Sequence, residues 1–155
     1  IQPNHKVLIY GASGTSGTIA VQYAKHLGAE VTGVCSSKNI DFIKSLGADK
    51  MLDYSREESI SKLEVYDVIL DSVGKRKSSK LKEACKSSLT KNGKYVSIDD
   101  SPLLCSSERL NKISKLIEAN KITPIIDRCY PFEQIIEAHR YVELGHKKGN
   151  VVITI

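Results

Sequence analysis

Glycines recur at every third position in Gly11-Ala-Ser-Gly-Thr-Ser-Gly17. A segment so poor in side chains suits one chemistry above others, the grip of backbone amides on a phosphate. A diphosphate needs close approach to the main chain and free N–H groups at a helix N-terminus, with the positive end of the helix dipole behind them. Gly14 would admit the anion, Gly17 would let a helix pack tightly on the preceding strand, and Thr15 and Ser16 would offer their N–H groups. In the register of G-x-G-x-x-G, Ala12 stands at the first glycine, and Gly11 supplies the looser G-x-x-G-x-x-G. That spacing means little alone; it acquires meaning if a strand runs into it and a helix leaves it.

Both elements are predicted. Lys6 to Tyr10 reads as a buried strand, and Ile19, Ala20, Tyr23, Ala24 and Leu27 recur on one helical face that Gly28 ends. A second strand is expected over Glu30 to Val34, a short helix from Asp41 to Leu46 stopped by Gly47, and a third strand at Met51 to Asp53. Tyr66 to Leu70 gives a fourth strand, Lys80 to Leu89 a helix, and Lys94 to Ile98 a fifth strand after the Asn92-Gly93 turn. Strands separated by helices imply parallel pairing with right-handed crossovers. The fold class is therefore α/β, a Rossmann-like doubly wound parallel sheet. Beyond it, Leu110, Ile113, Leu116 and Ile117 mark an amphipathic helix. Pro131 opens another with Phe132, Ile135, Ile136, His139 and Val142 facing inward, closed by Gly145, and residues 149–155 form a last strand. Pro, Ser and Asp cluster from Asp99 to Ser107, which places a boundary between a domain over residues 1–106 and a C-terminal segment over residues 107–155.

The end of the second strand bears on the choice of cofactor. An NAD site places Asp or Glu there for the ribose 2′-hydroxyl. This chain has Val34-Cys-Ser-Ser-Lys38, and its nearest acid, Glu30, lies at the wrong end of the strand. Ser36, Ser37 and Lys38 could hold a 2′-phosphate that a carboxylate would repel. NADP(H) is expected over NAD(H).

Composition narrows the alternatives. At 155 residues and 41% hydrophobic content the chain can bury a core. No stretch approaches the ~20 apolar residues that span a bilayer. The net charge of +5 owes much to Lys75, Arg76, Lys77, Lys80, Lys82 and Lys86, a run without interleaved aromatics. That run reads as a solvated face, so neither a nucleic-acid nor a membrane partner is expected. Cys35, Cys85, Cys105 and Cys129 are scattered without metal-ligand spacing and read as reduced thiols, so no metal site and a cytoplasmic setting are expected.

Several segments recur together in one order: Lys6-Val-Leu-Ile-Tyr-Gly-Ala-Ser-Gly, Ala20-Val-Gln-Tyr-Ala-Lys25, Leu46-Gly-Ala-Asp, Asp71-Ser-Val-Gly74 and Gly145-His-Lys-Lys-Gly-Asn-Val-Val-Ile-Thr154. Over essentially its whole length the chain resembles the cofactor-binding half of quinone-oxidoreductase-like medium-chain dehydrogenases/reductases. The resemblance implies an oxidoreductase that passes a hydride from NADPH to a quinone, enone or other small carbonyl compound without zinc. It also implies a barrel-like catalytic domain upstream of Ile1, to which the C-terminal segment returns. Carried over by position, Gly14, Thr15, Ser16 and Gly17 would line the diphosphate, Ser36 and Lys38 would face the 2′-phosphate, and Tyr54 would lie near the adenosine. Ser72, Val73, Gly74 and Ile98 would border the nicotinamide ribose. No catalytic residue falls in this segment. By itself it is expected to bind cofactor without turnover and to expose apolar surface on the Leu110 and Phe132 helices.

Two departures from the family pattern stand out. Thr15 and Ser16 replace the common Gly-Val, which matters little for backbone contacts. Only Asp99 to Ser107 separates the fifth strand from the next helix, where many relatives place a sixth strand at a homodimer edge. Two other classes remain open: an atypical short-chain reductase, although none of the seven tyrosines has lysine four residues on, and a non-catalytic NADP-sensing module. His139, on an apolar helical face, is expected to be a structural histidine.

Overall fold

The computed structural model describes residues 1–76, 78–100 and 106–155. Lys77, Cys105 and most of the Asp99–Ser107 boundary, where the expectation about a sixth strand falls, lie outside the described residues.

The chain opens with β1 (Lys6–Tyr10), α1 (Thr15–His26), β2 (Glu30–Cys35), α2 (Ile40–Ser45) and β3 (Lys50–Asp53). It continues through β4 (Tyr66–Asp71), α3 (Lys80–Lys86) and β5 (Leu89–Ser97). The five strands form one parallel sheet in the order β3-β2-β1-β4-β5. The chain leaves β1 outward through β2 and β3, then returns to build β4 and β5 on the other side. The order reverses between β1 and β4, so the crevice for a ligand opens at their carboxyl ends.

Alternation along β1 supplies both faces. Val7 and Ile9 point to the layer under α1 and α2, with Val21, Ala24, Val31, Cys35 and Ile43. Leu8 and Tyr10 point to the layer under α3, with Val34, Tyr66, Ile69, Leu81 and Cys85. A sheet covered on both faces carries nearly continuous apolar strands, as Val-Leu-Ile-Tyr does here. Each layer holds one buried cysteine, and burial pushes the thiols of Cys35 and Cys85 up to about 12.

Residues 107–155 form α4 (Ser107–Glu118), β6 (Ile126–Pro131), α5 (Ile135–Glu143) and β7 (Asn150–Thr154). β6 and β7 pair in parallel as a separate two-stranded sheet. Ile122, 1% exposed, anchors the segment. Gln22 on α1 binds Thr123 through both ends of its amide, donating to the carbonyl at 2.9 Å and accepting from the N–H at 2.8 Å. Among the described residues no helix is long and apolar enough to cross a membrane.

Four expectations need correction. The helix after β4 ends at Lys86, and Leu89 already pairs with Tyr66 in the sheet. Pro131 closes a strand the sequence did not suggest, and only then does the chain turn into α5. Phe132, in the turn before α5, and Ile136 and Val142 on it are 56%, 60% and 38% exposed, and His139 is exposed, so this face is not inward but is the bare apolar surface also expected there; Ala138 is the buried residue of α5. Lys82 is no part of a solvated face: it is 5% exposed, whereas Lys75, Lys80 and Lys86 are exposed. Leu110, at 71% exposed, fits the expected bare surface on α4.

Candidate functional site

Gly11 turns the chain at the end of β1 with φ +81°, a conformation that L side chains rarely adopt. Its N–H and that of Ala12 both donate to the Val34 carbonyl at 3.0 Å, so the turn is tied to the end of β2. α1 begins directly behind it. A Cβ on Gly17 would lie 2.2 Å from the Gly11 oxygen and 2.7 Å from the Ala12 Cα, so this glycine lets the helix sit against the turn. A Cβ on Gly14 would meet only the Gly11 oxygen, at 3.5 Å, so no protein contact explains the glycine there. Gly14 is the N-cap, without a side-chain cap, and the first turn of α1 contains no acidic residue. The N–H groups of Thr15, Ser16 and Gly17 begin the helix and have no intrahelical acceptor. A helix start of this kind suits an anion.

Two groups of expected residues lie to either side of the turn. On the β2 side, Ser36, Lys38 and Tyr54 share a cavity of about 230 Å³ with Ser13, Asn39 and the loop from Gly145 to Lys148. Tyr54 is 48% exposed, with its N–H on the Cys35 carbonyl at 3.2 Å. Among the described residues no carboxylate lines this cavity. Glu30 pairs with Lys50 at 2.6 Å at the far end of β2. Asp53, although at the end of β3, turns its carboxylate to the N–H and hydroxyl of Ser55 at 2.9 and 2.7 Å. Burial pushes that carboxyl up, but hydrogen bonds from Ser55 and Ser37 and the charge of Arg56 together outweigh burial and hold it below the ordinary value.

On the β4 side, Ser72, Val73 and Gly74 follow the strand at the crevice. The Ser72 N–H donates to the Tyr10 carbonyl at 2.9 Å, and its Oγ is buried without a hydrogen-bond partner among the described residues. A Cβ on Gly11 would lie 2.6 Å from Val73 Cγ2, so the two loops touch. Ile98, 44% exposed, follows β5 and donates its N–H to the Asp71 carbonyl at 3.1 Å. The β2-side and β4-side groups do not meet; the glycine turn separates them, as an extended two-part ligand requires.

Sequence reasoning missed the loop from Gly145 to Gly149. The Lys147 ammonium donates to Thr15 Oγ1 at 2.5 Å and to the Gly149 carbonyl at 2.6 Å, and the Gly149 N–H donates to the Ser13 carbonyl at 3.0 Å. Burial lowers the pKa of Lys147, against the attraction of Asp127. Asp127 fixes the loop by accepting from the Tyr141 hydroxyl at 2.5 Å and the Lys148 N–H at 3.1 Å. The signal was present, two lysines between glycines before the final strand, but nothing local placed them over α1. A larger cavity of about 590 Å³, lined by His5, Asp67 and Lys94 among others, lies at the amino ends of the strands, away from where parallel sheets bind ligands. Among the described residues no cluster of His, Cys, Asp and Glu could hold a metal ion.

A parallel sheet in this order, with a glycine turn at its switch point, defines a Rossmann-type α/β domain. A family model described as zinc-binding dehydrogenase matches residues 17–99, and a second of the same description matches residues 101–153. The chain therefore belongs to the zinc-binding dehydrogenase family, as the cofactor-binding domain of a medium-chain dehydrogenase/reductase. It is 31% identical to a mitochondrial NAD(P)H oxidoreductase of Mus musculus, over 97% of this chain and 48% of that protein. It is also 31% identical to the 2-methylene-furan-3-one reductase of Solanum lycopersicum, over 95% of this chain and 39% of that protein. The solved quinone oxidoreductase from Coxiella burnetii shares the fold with a TM-score of 0.80 at 22% identity, over all of this chain and 54% of that one. The chain thus spans about half the length of the curated relatives it matches.

Proposed function

We propose that the chain binds NADP(H) along the carboxyl ends of β2, β1 and β4, as the cofactor-binding half of an oxidoreductase acting on a quinone, enone or other small carbonyl compound. The carrying observation is the cavity beside the glycine turn: Lys38, Lys147 and Lys148 line it and, among the described residues, no carboxylate does. The amides of Thr15, Ser16 and Gly17 hold the diphosphate over Gly14, whose own N–H donates to the Gly11 carbonyl at 3.1 Å; Ser36 and Lys38 face the 2′-phosphate together with Lys147 and Lys148, and Tyr54 flanks the adenosine. Ser72, Val73, Gly74 and Ile98 border the nicotinamide ribose, for which the unpartnered Ser72 hydroxyl is a fitting donor. When bound, the nicotinamide supplies the hydride chemistry, and the chain supplies orientation.

In this reading residues 1–106 form the binding domain, and residues 107–155 pack on it and on a catalytic domain of the family type that shapes the substrate pocket. Cytoplasmic location, dimerisation and independence of zinc belong to the same reading. Fluorescence titration is expected to give NADPH a dissociation constant roughly ten-fold or more below that of NADH, the scale of charge-assisted hydrogen bonds to one phosphate. Equal or reversed affinities would remove NADP(H), and binding of neither would remove the whole reading. The chain alone is expected to reduce no quinone; turnover by it would overturn the division of labour.

A further inference from the structure

We propose that Lys82 is a positioning residue that sets the Ser72–Gly74 loop for the nicotinamide half of the cofactor; this rests on the reading above. Lys82 lies on the inward side of α3 with Leu81 and Cys85. Its ammonium is 2.7 Å from Asp71 Oδ2, with the two side chains 7% and 3% exposed. It also donates to the carbonyl of Gly74. One cation therefore holds both ends of the loop, the last residue of β4 and the third residue beyond it.

Asp71 is fully engaged. Its Oδ1 accepts from the N–H groups of Val73 and Gly74, both at 3.0 Å, and its Oδ2 accepts from the Tyr95 hydroxyl at 3.0 Å as well as from Lys82. The Lys82 ammonium is also 5.7 Å from the centroid of the Tyr10 ring. Asp71, Lys82 and Tyr95 line a cavity of about 340 Å³ beside α3, together with Gly74 and Ser97, while Ser72 and Val73 lie against Gly11 at the crevice. Burying an ion pair is a poor route to stability, since an apolar pair of similar volume often serves as well. The geometry gives this pair another task, to fix where Ser72 and Val73 stand relative to the glycine turn.

The test compares two probes on the full chain: NADPH, and 2′,5′-ADP, which has the phosphoadenosine end and no nicotinamide. The double variant Asp71→Asn with Lys82→Met removes both charges together and leaves neither unpaired. It is expected to bind 2′,5′-ADP as the parent does and NADPH on the order of ten-fold more weakly, the scale of a lost hydrogen bond or two. Unchanged NADPH affinity, or an equal loss for both probes, would overturn the proposal. Should the double variant not fold, Tyr95→Phe decides: it removes one hydrogen bond to Asp71 and keeps the charge pair. The same split, smaller, is expected, and its absence would count against Lys82 and its partners as a positioning device. A parent chain that binds neither probe would instead remove the cofactor reading itself.

Discussion

Asp71→Asn alone is expected to destabilise the fold by about 3–5 kcal/mol, because it leaves the Lys82 ammonium buried without its counter-charge. Urea denaturation followed by circular dichroism measures it as a lowered midpoint at unchanged slope. The same carboxylate sets part of the acid limit. Burial pushes the Asp71 carboxyl up, but hydrogen bonds from Lys82, the Val73 and Gly74 N–H groups and Tyr95 outweigh burial and hold it below the ordinary value of 3.8. The carboxylate form is thus favoured by folding. Its contribution is complete above the unfolded value and is lost as pH falls from there through the lower folded value. The parent's urea midpoint should be insensitive to this group near neutrality and fall below about pH 4, the unfolded carboxyl range. The asparagine variant should start lower and lose less on that limb. An acid limb as steep in the variant as in the parent would show that Asp71 does not contribute to it.

Gly17→Ala and Gly14→Ala are expected to separate, although both lie in one turn. At position 17 the new methyl would fall 2.2 Å from the Gly11 oxygen and within 2.8 Å of two Ala12 backbone atoms, none of which belongs to a yielding side chain. Overpacking of that kind costs about 1–3 kcal/mol, and the displaced turn should lose cofactor affinity as well. At position 14 the methyl finds ordinary contact with the protein, and alanine for glycine at an N-cap should change stability by less than about 1 kcal/mol. It would occupy the space in front of the helix start, so NADPH affinity should fall with little change in the melt. Thermal melts and the titration read both effects. A Gly14→Ala protein that binds NADPH as the parent does would show that the turn is structural only.

The contrast shows what was legible from the residues. The strand, glycine turn and helix from Lys6 to His26 followed from period and punctuation, because short-range rules govern them. The adenosine side was also legible in Ser36, Lys38 and Tyr54, since β2 and β3 end beside the turn in any parallel sheet of this order. Lys82 was not legible. In a basic run nothing distinguishes it from its neighbours; its partner is Asp71, eleven positions earlier, and only the fold of α3 over β4 brings them together. The loop carrying Lys147 was missed for the same reason, its contact with Thr15 spanning 132 positions. Phe132 and Ile136 mark a different limit: helical spacing identifies an apolar face but not what covers it. β6 gave no periodic signal, and its terminal proline suggested a helix start instead.

The placement of one cysteine on each side of the central sheet makes the molecule its own recorder of local opening. Burial that holds both thiols at about 12 leaves little thiolate near neutral pH, so neither is expected to react while its layer is closed. Brief exposure to an alkylating reagent, followed by peptide mass analysis, should modify the exposed Cys129 at once and the two buried thiols only when their layers part. If Cys85 is modified before Cys35, the α3 side yields first; simultaneous modification means that both sides give way in one cooperative event.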